Sequence, residues 1–246
     1  MYAEDLIREP LPKVKVGIGS ASKNDNSVKS AAAYDGVTVY TDPDLLINDL
    51  YEGKIDAAVR GDMSSSILLP KLKEKFELGE LQRVVLLQPV GKKLIFVAPV
   101  GIDEGWTAEQ KCELAVRSIK LMRRLGMGEK IAVMSGGRKD DRGRNPLVDI
   151  SIDNALEVTD ILKRDGYDAY HAEILIESAS DDADLIIAPD GISGNLIFRT
   201  LHFMGGATAM GAPVINMDKV FIDTSRVKTD YTDSIALAMR LTERMK

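Results

Sequence analysis

Leu185-Ile186-Ile187-Ala188-Pro189-Asp190-Gly191-Ile192-Ser193-Gly194-Asn195 decides the fold. Four apolar residues run without alternation into a proline, a short acid and small residues, and a helix-like run follows at once. Unbroken apolar strands bounded by turn residues belong to sheets covered on both faces, as parallel α/β sheets are. Ser193, Gly194 and Asn195 then bring a hydroxyl, a bare backbone and an amide to a helix N-terminus, where peptide dipoles favour an anion. A surface strand-to-helix connection in which Ser193 and Asn195 merely cap fits the same residues. Asp223-Thr224-Ser225-Arg226 downstream, with its hydroxyl and fixed cation, favours the anion-binding reading.

Outward from this stretch the same alternation continues in both directions. Residues 14–19, 37–40, 55–59, 84–87, 94–97, 130–134 and 220–222 read as strands. Helical patterns start at Asp42-Pro43-Asp44, at the serines 64–66, at Thr107 and at Pro146, and a closing helix covers 230–245. The helix over 107–125 places Cys112, Ala115, Val116, Ile119 and Met122 on one stripe. Residues 84–87 and 94–97 form an expected antiparallel pair. Strands alternating with helices predict an α/β fold with a mostly parallel sheet.

The chain has 246 residues and a net charge of −6, which argues against nucleic acid as a principal partner. One cysteine and two histidines leave little for a disulfide or a metal centre, so no metal is expected. No apolar run is long enough to span a bilayer, and the N-terminal residues lack a secretion signal, so the expected location is cytoplasmic, with no membrane partner.

Three further turns are candidate sites. Ser135-Gly136-Gly137-Arg138 opens a loop through Arg144 that offers forked donors to a phosphate, although Asp140 and Asp141 partly neutralise it. Arg60-Gly61-Asp62 leads to Ser64, Ser65 and Ser66 at a second helix start. Gly17-Ile18-Gly19 faintly suggests a dinucleotide or S-adenosylmethionine turn, but Ser22 stands where a third glycine belongs. His171 and His202 read as structural, and no nucleophile elbow of the G-x-S-x-G kind is present.

Residues 189–226 resemble the phosphate acetyltransferase and butyryltransferase superfamily. Pro189, Asp190, Ser193, Gly194 and Asn195 match its Pro-Asp-x-x-Ser/Thr-Gly-Asn turn. Gly206, Ala207, Ala209, Met210 and Gly211 match its small-residue segment, and Asp223, Thr224, Ser225 and Arg226 match its Asp-Leu-Ser-Arg motif. Gly53–Gly61, Ser65, Ser66 and Lys130–Ser135 extend the likeness. The length and the Ser135–Arg144 loop are similar to one branch, methanogenesis marker protein 4, whose members also carry the name methyltransferase MtxX.

The resemblance implies two α/β domains around a cleft, like isocitrate and isopropylmalate dehydrogenases: residues 1–80 with 216–246, and residues 81–215. It implies a homodimer and a small-molecule phosphate or acyl substrate. Coenzyme A or a related thiol would be a co-substrate, with no bound cofactor. Arg226 would hold a phosphoryl or carboxylate group, Ser225 would orient the attacking atom, and an aspartate would take the thiol proton. The family's aspartate falls at Thr232 here, with Asp230 and Asp233 on either side; one inserted residue assigns the role to Asp233. Asp190, Ser193, Gly194, Asn195, Ser65, Ser66, Ser135, Gly136, Gly137 and Arg138 would bind substrate or anion. Methyl transfer linked to methanogenesis and non-catalytic binding of a phosphate or coenzyme A ligand are the alternatives.

Overall fold

A computed structural model of the chain describes residues 1–21 and 26–245. Ser22, where a third glycine was sought, lies outside the described residues. The chain begins with Ala3–Ile7 (α1), then Val16–Gly19 (β1), Asn26–Ala31 (α2), Val37–Tyr40 (β2), Pro43–Tyr51 (α3), Ala57–Val59 (β3) and Ser65–Lys75 (α4). Asp42 starts α3 by accepting the Asp44 N–H at 2.9 Å, with Pro43 in the first turn, where its missing donor costs nothing. Leu46, Ile47 and Leu50 then face inward at helical spacing.

The central part runs Val85–Gln88 (β4), Ile95–Ala98 (β5), Ala108–Leu125 (α5), Ile131–Met134 (β6), Pro146–Arg164 (α6), Ala169–Glu173 (β7), Ile176–Asp182 (α7), Leu185–Ile187 (β8) and Gly191–Arg199 (α8). A π-helical turn over Thr200–Met204 continues α8. Thr208–Pro213 (β9), Val220–Asp223 (β10) and Thr232–Met245 (α9) complete the chain. Thr107 and Gln110 form a reciprocal capping box that starts α5.

Two compact units result. The split unit comprises Glu4–Leu81 and Met210–Lys246; the middle unit comprises Met1–Ala3 and Gln82–Ala209. In the split unit the strand order is β2-β1-β3-β10-β9. The first four strands are parallel, with Val16 opposite Val37 and Ala57, and Val220 opposite Ala57; β9 joins β10 antiparallel. Leu46, Leu50, Leu68, Leu72 and Phe221 belong to its buried core, each contributing roughly 2 kcal/mol by burial. In the middle unit the order is β4-β5-β8-β6-β7. The expected antiparallel pair is there as β4 and β5, and β5, β8, β6 and β7 are parallel. The architecture is a mixed, mostly parallel α/β fold.

Three expectations change in detail. The closing helix starts at Thr232, not Asp230. The buried side of α5 is centred on Lys111, Ala115, Ser118, Ile119 and Met122, while Cys112 is only half-buried at its flank. Strand β7 was not expected from the sequence. It carries Tyr170, His171 and Glu173 only partly buried, because it is the edge strand of its sheet. Among the described residues, no helix is long and apolar enough to cross a membrane.

Candidate functional site

Open parallel sheets bind ligands beyond the carboxyl ends of their strands, beside the strand where the winding direction reverses. In the split unit β1 leads outward to β2, and the chain then returns to β3 on the other side of β1. The loops after β1, β3 and β10 leave this edge together; the loop after β3 leads into α4, which begins with Ser65 and Ser66, and the loop after β10 carries Ser225 and Arg226 and leads into α9, whose first turn holds Asp233.

A buried cation organises these loops. Arg60 follows β3 and is only 5% exposed. Its Nε donates to Asp223 Oδ1 at 2.5 Å and its Nη1 to Met63 O at 2.5 Å. Asp223 also accepts the Thr224 N–H at 2.9 Å, and Thr224 Oγ1 donates to Gly61 O at 2.7 Å. The loops after β3 and β10 are thereby fixed to each other. Gly61 has φ +61, and a Cβ there would lie 1.9 Å from Gly19 O, so only glycine lets this loop cross β1 so closely. Asp62 Oδ1 accepts the Ala21 N–H at 2.7 Å, adding the loop after β1.

On this frame Ser225 is half-buried and Arg226 is exposed, with no carboxylate within ion-pair distance among the described residues. Tyr231 braces the turn by donating its hydroxyl to Ser225 O at 3.0 Å. The two aspartates differ sharply. Asp230 accepts the Thr232 N–H at 2.9 Å and caps α9. Burial alone would raise its carboxyl, but the bonds from Thr232 and Ser30 outweigh burial and hold it below the usual range. Asp233 lies in the first turn of α9, and its Oδ1 receives Lys228 Nζ at 2.5 Å and Ser234 Oγ at 3.1 Å. Ser65 and Ser66 begin α4 after Ser64, whose hydroxyl makes no cap bond and lies 2.8 Å from that of Ser66.

The middle unit has its own reversal, between β6 and β8, where the Ser135 loop and the Asp190 turn are neighbours. The start of α8 is largely occupied by the protein itself. Asp190 Oδ1 accepts the Ser193 N–H at 2.7 Å, Glu104 O accepts the Gly191 N–H at 3.1 Å, and Asn195 Nδ2 donates to Val100 O at 2.8 Å. Asp190 and Asn195 therefore hold the turn, and the anion-favouring N-terminus already carries a carboxylate. Gly191 and Gly194 let α8 press onto the loop after β5: a Cβ would lie 1.7 Å from Gly101 O or 1.9 Å from Pro99 O. That loop is held by the buried pair Arg83 and Glu104, at 2.5 Å.

The basic loop is also partly satisfied from within. Arg142 pairs with Asp153, Arg144 with Asp141 at 2.5 Å, and the Arg138 and Lys139 N–H groups donate to Asp141 and Glu173. The Arg138 and Lys139 side chains remain exposed. Gly136 N donates to Ser151 Oγ at 2.8 Å, and Gly137 is packed against Val148. Ser135 is fully buried and donates to Gly137 O at 2.8 Å. His171 Nε2 lies 2.8 Å from Ser135 Oγ, and with that hydroxyl proton committed, Nε2–H is the donor. Burial keeps the His171 pKa below its ordinary value, which keeps the ring neutral near neutral pH. Among the described residues, its buried Nδ1 has no hydrogen-bond partner, and no His/Cys/Asp/Glu group is arranged to hold a metal.

Sequence reasoning missed two residues. Arg60 was read as part of a helix start, not as the buried link to Asp223. Lys111 was not singled out, although it sits in phase with Ala115, Ser118 and Met122 on the inward stripe of α5, a signal present in the sequence.

The chain is 42% identical over 201 residues to a Methanosarcina acetivorans protein provisionally named methyltransferase mtx subunit X, covering 81% of this chain and 72% of the relative. The chain belongs to the mtx subunit X family. An uncharacterized methyltransferase of Methanocaldococcus jannaschii is 36% identical over 228 residues, covering 86% and 89% of the two chains. No protein-family model matches. Among solved structures, this mtx subunit X relative shares its fold with the EutD phosphotransacetylase from Staphylococcus aureus (TM-score 0.71, 14% identity, 99% of this chain and 98% of that one). A branched-chain phosphotransacylase from Enterococcus faecalis V583 gives TM-score 0.72 at 16% identity, with coverages of 98% and 93%. A 4-hydroxythreonine-4-phosphate dehydrogenase from Klebsiella pneumoniae aligns less closely, at TM-score 0.59, 10% identity and coverages of 97% and 94%.

Proposed function

We propose that the protein is a phosphotransacylase-like transferase, moving an acyl or related group between a phosphate and a thiol or other small acceptor. One observation carries this reading: Arg226 is an exposed cation with no ion-pair partner among the described residues, beside two cations, Arg60 and Lys228, that are paired. A free guanidinium next to a serine hydroxyl, at the carboxyl edge of a parallel sheet, suits a phosphoryl group. In this scheme Arg226 neutralises the phosphoryl oxygens and Ser225 orients the attacking atom. Asp233 takes the acceptor's proton, and Asp230 is left to cap α9. Ser65 and Ser66 supply further donors to the anion. A coenzyme A-like thiol is the acceptor the resemblance favours, and a homodimer is the assembly it implies.

The test is phosphate-dependent conversion of acetyl- or butyryl-coenzyme A to the acyl phosphate. Arg226→Ala should lower kcat/KM by roughly 100-fold or more, the scale on which one preorganised charge contact acts. Asp233→Asn should lower kcat with little change in the KM for phosphate. Full turnover by Arg226→Ala would exclude the assignment.

The names of the relatives favour a second reading, methyl transfer. Gly17 and Gly19 do not add to it. Cβ atoms there would lie 2.6 Å from Ile55 Cδ1 and 2.5 Å from Arg60 O, so packing within the sheet accounts for both glycines. Calorimetric titration with S-adenosylmethionine, a pterin carrier or a corrinoid separates the two. Micromolar binding of any of these would favour methyl transfer, and phosphate or coenzyme A binding without turnover would favour a non-catalytic binder.

A further inference from the structure

Three basic residues are buried among the described residues: Arg60, Arg83 and Lys111. Arg60 has Asp223 as a counter-ion and Arg83 has Glu104. Lys111, only 4% exposed, has no carboxylate within ion-pair distance among the described residues; its ammonium donates to the neutral Asn154 Oδ1 of α6. A buried charge without a counter-ion is costly, and replacing it by an apolar residue of similar volume would normally stabilise a fold. The position is also special. Lys111 lies one turn into α5, directly after the loop from β5 onto which Gly191 and Gly194 seat the start of α8. Asn154 lies one turn along α6 from Ser151, which receives the Gly136 N–H. The ammonium thus belongs to the carboxyl edge of the middle unit, behind both the Asp190 turn and the Ser135 loop.

We propose that Lys111 is an anion-binding residue, whose missing counter-ion is a carboxylate or phosphoryl oxygen of a small-molecule ligand. The titratable groups that act on it are Asp190, whose carboxylate favours the ammonium from beyond ion-pair distance, and Cys112. Burial outweighs them and depresses the lysine to about 8, so an arriving anion would raise it again. This inference does not require the transfer chemistry assigned to Arg226 and Asp233, which lie in the other unit.

The experiment uses an Arg226→Ala background, which removes phosphate binding at that arginine. Thermal midpoints are measured in inorganic phosphate, acetate and chloride at matched ionic strength and pH 7. At tenfold saturation, phosphate or acetate should raise the midpoint above chloride by roughly 3 °C. Adding Lys111→Met should abolish that rise without lowering the midpoint in chloride. A larger shift with phosphate than with acetate would assign a phosphoryl group, and the reverse a carboxylate. Equal shifts with and without Lys111→Met, or no shift with either anion, would overturn the proposal. If Lys111→Met does not fold, the Arg226→Ala protein alone decides. Its stability should rise above about pH 8, and the effective anion should move that rise to higher pH. An unmoved profile refutes the site.

Discussion

Gly194 and Lys111 set the sharpest tests at the scale of single residues. Gly194→Ala would drive a methyl group to 1.9 Å from Pro99 O, a backbone atom that cannot swing away. It should destabilise the chain by roughly 3 kcal/mol, the upper range for overpacking, read as a lower urea midpoint at constant m-value. Lys111 makes a signed prediction about pH. Its native pKa lies below the unfolded value of 10.5, so the unfolded chain binds the extra proton between about 8 and 10.5. The cost of burying the ammonium is therefore fully present below pH 8 and is relieved as pH rises through this window. In wild type minus Lys111→Met, the relief should approach about 3 kcal/mol, measured by denaturant unfolding across that range. The sequence made the candidate site residues legible as types at positions but not their bonding. Asp190 and Asn195 were rightly placed at a helix start, yet their polar atoms are turned to Ser193 and Val100. Which atom a short polar side chain chooses depends on the loop opposite, here the one after β5, which is distant in the chain.

At the scale of elements, helices with strong local signals were readable. α6 begins at Pro146 behind Asn145, which accepts the Leu147 N–H at 2.9 Å, and its span matches the apolar repeat. α5 was found by its Thr107 cap, but its buried face was misjudged by about one residue, because a lysine occupies a core position. β7 escaped because an edge strand has only one well-covered side, and here it carries Tyr, His and Glu in place of an apolar run. The capping box of α5 gives a compact check on the local reading. Thr107→Ala removes the acceptor for the Gln110 N–H, at 3.2 Å, and should cost about 1 kcal/mol by chemical denaturation, with Thr107→Ser retaining most of it.

At the scale of the whole molecule, the alternation of strands and helices announced a mostly parallel α/β fold. It could not place β10 between β3 and β9, because that order depends on pairings across more than 150 intervening residues. The closing helix is integral to the split unit: Ile235, Ala236, Leu237, Ala238 and Leu241 are all buried, as is Tyr231 just before it. Truncation after residue 229 should therefore unfold the split unit, while the middle unit, almost continuous in sequence, persists as a protease-resistant fragment spanning about Gln82–Ala209. A truncated chain with native resistance throughout 4–81 would refute this. The central place of β10 also has a meaning for synthesis. Once residues 4–81 have left the ribosome, β3 must wait with an unpaired flank for a partner 163 residues further along the chain. At typical elongation rates that wait is roughly 7–28 s. For that interval the nascent sheet offers an open edge to any passing strand, so early protection by a chaperone would matter more to this protein than its modest size suggests.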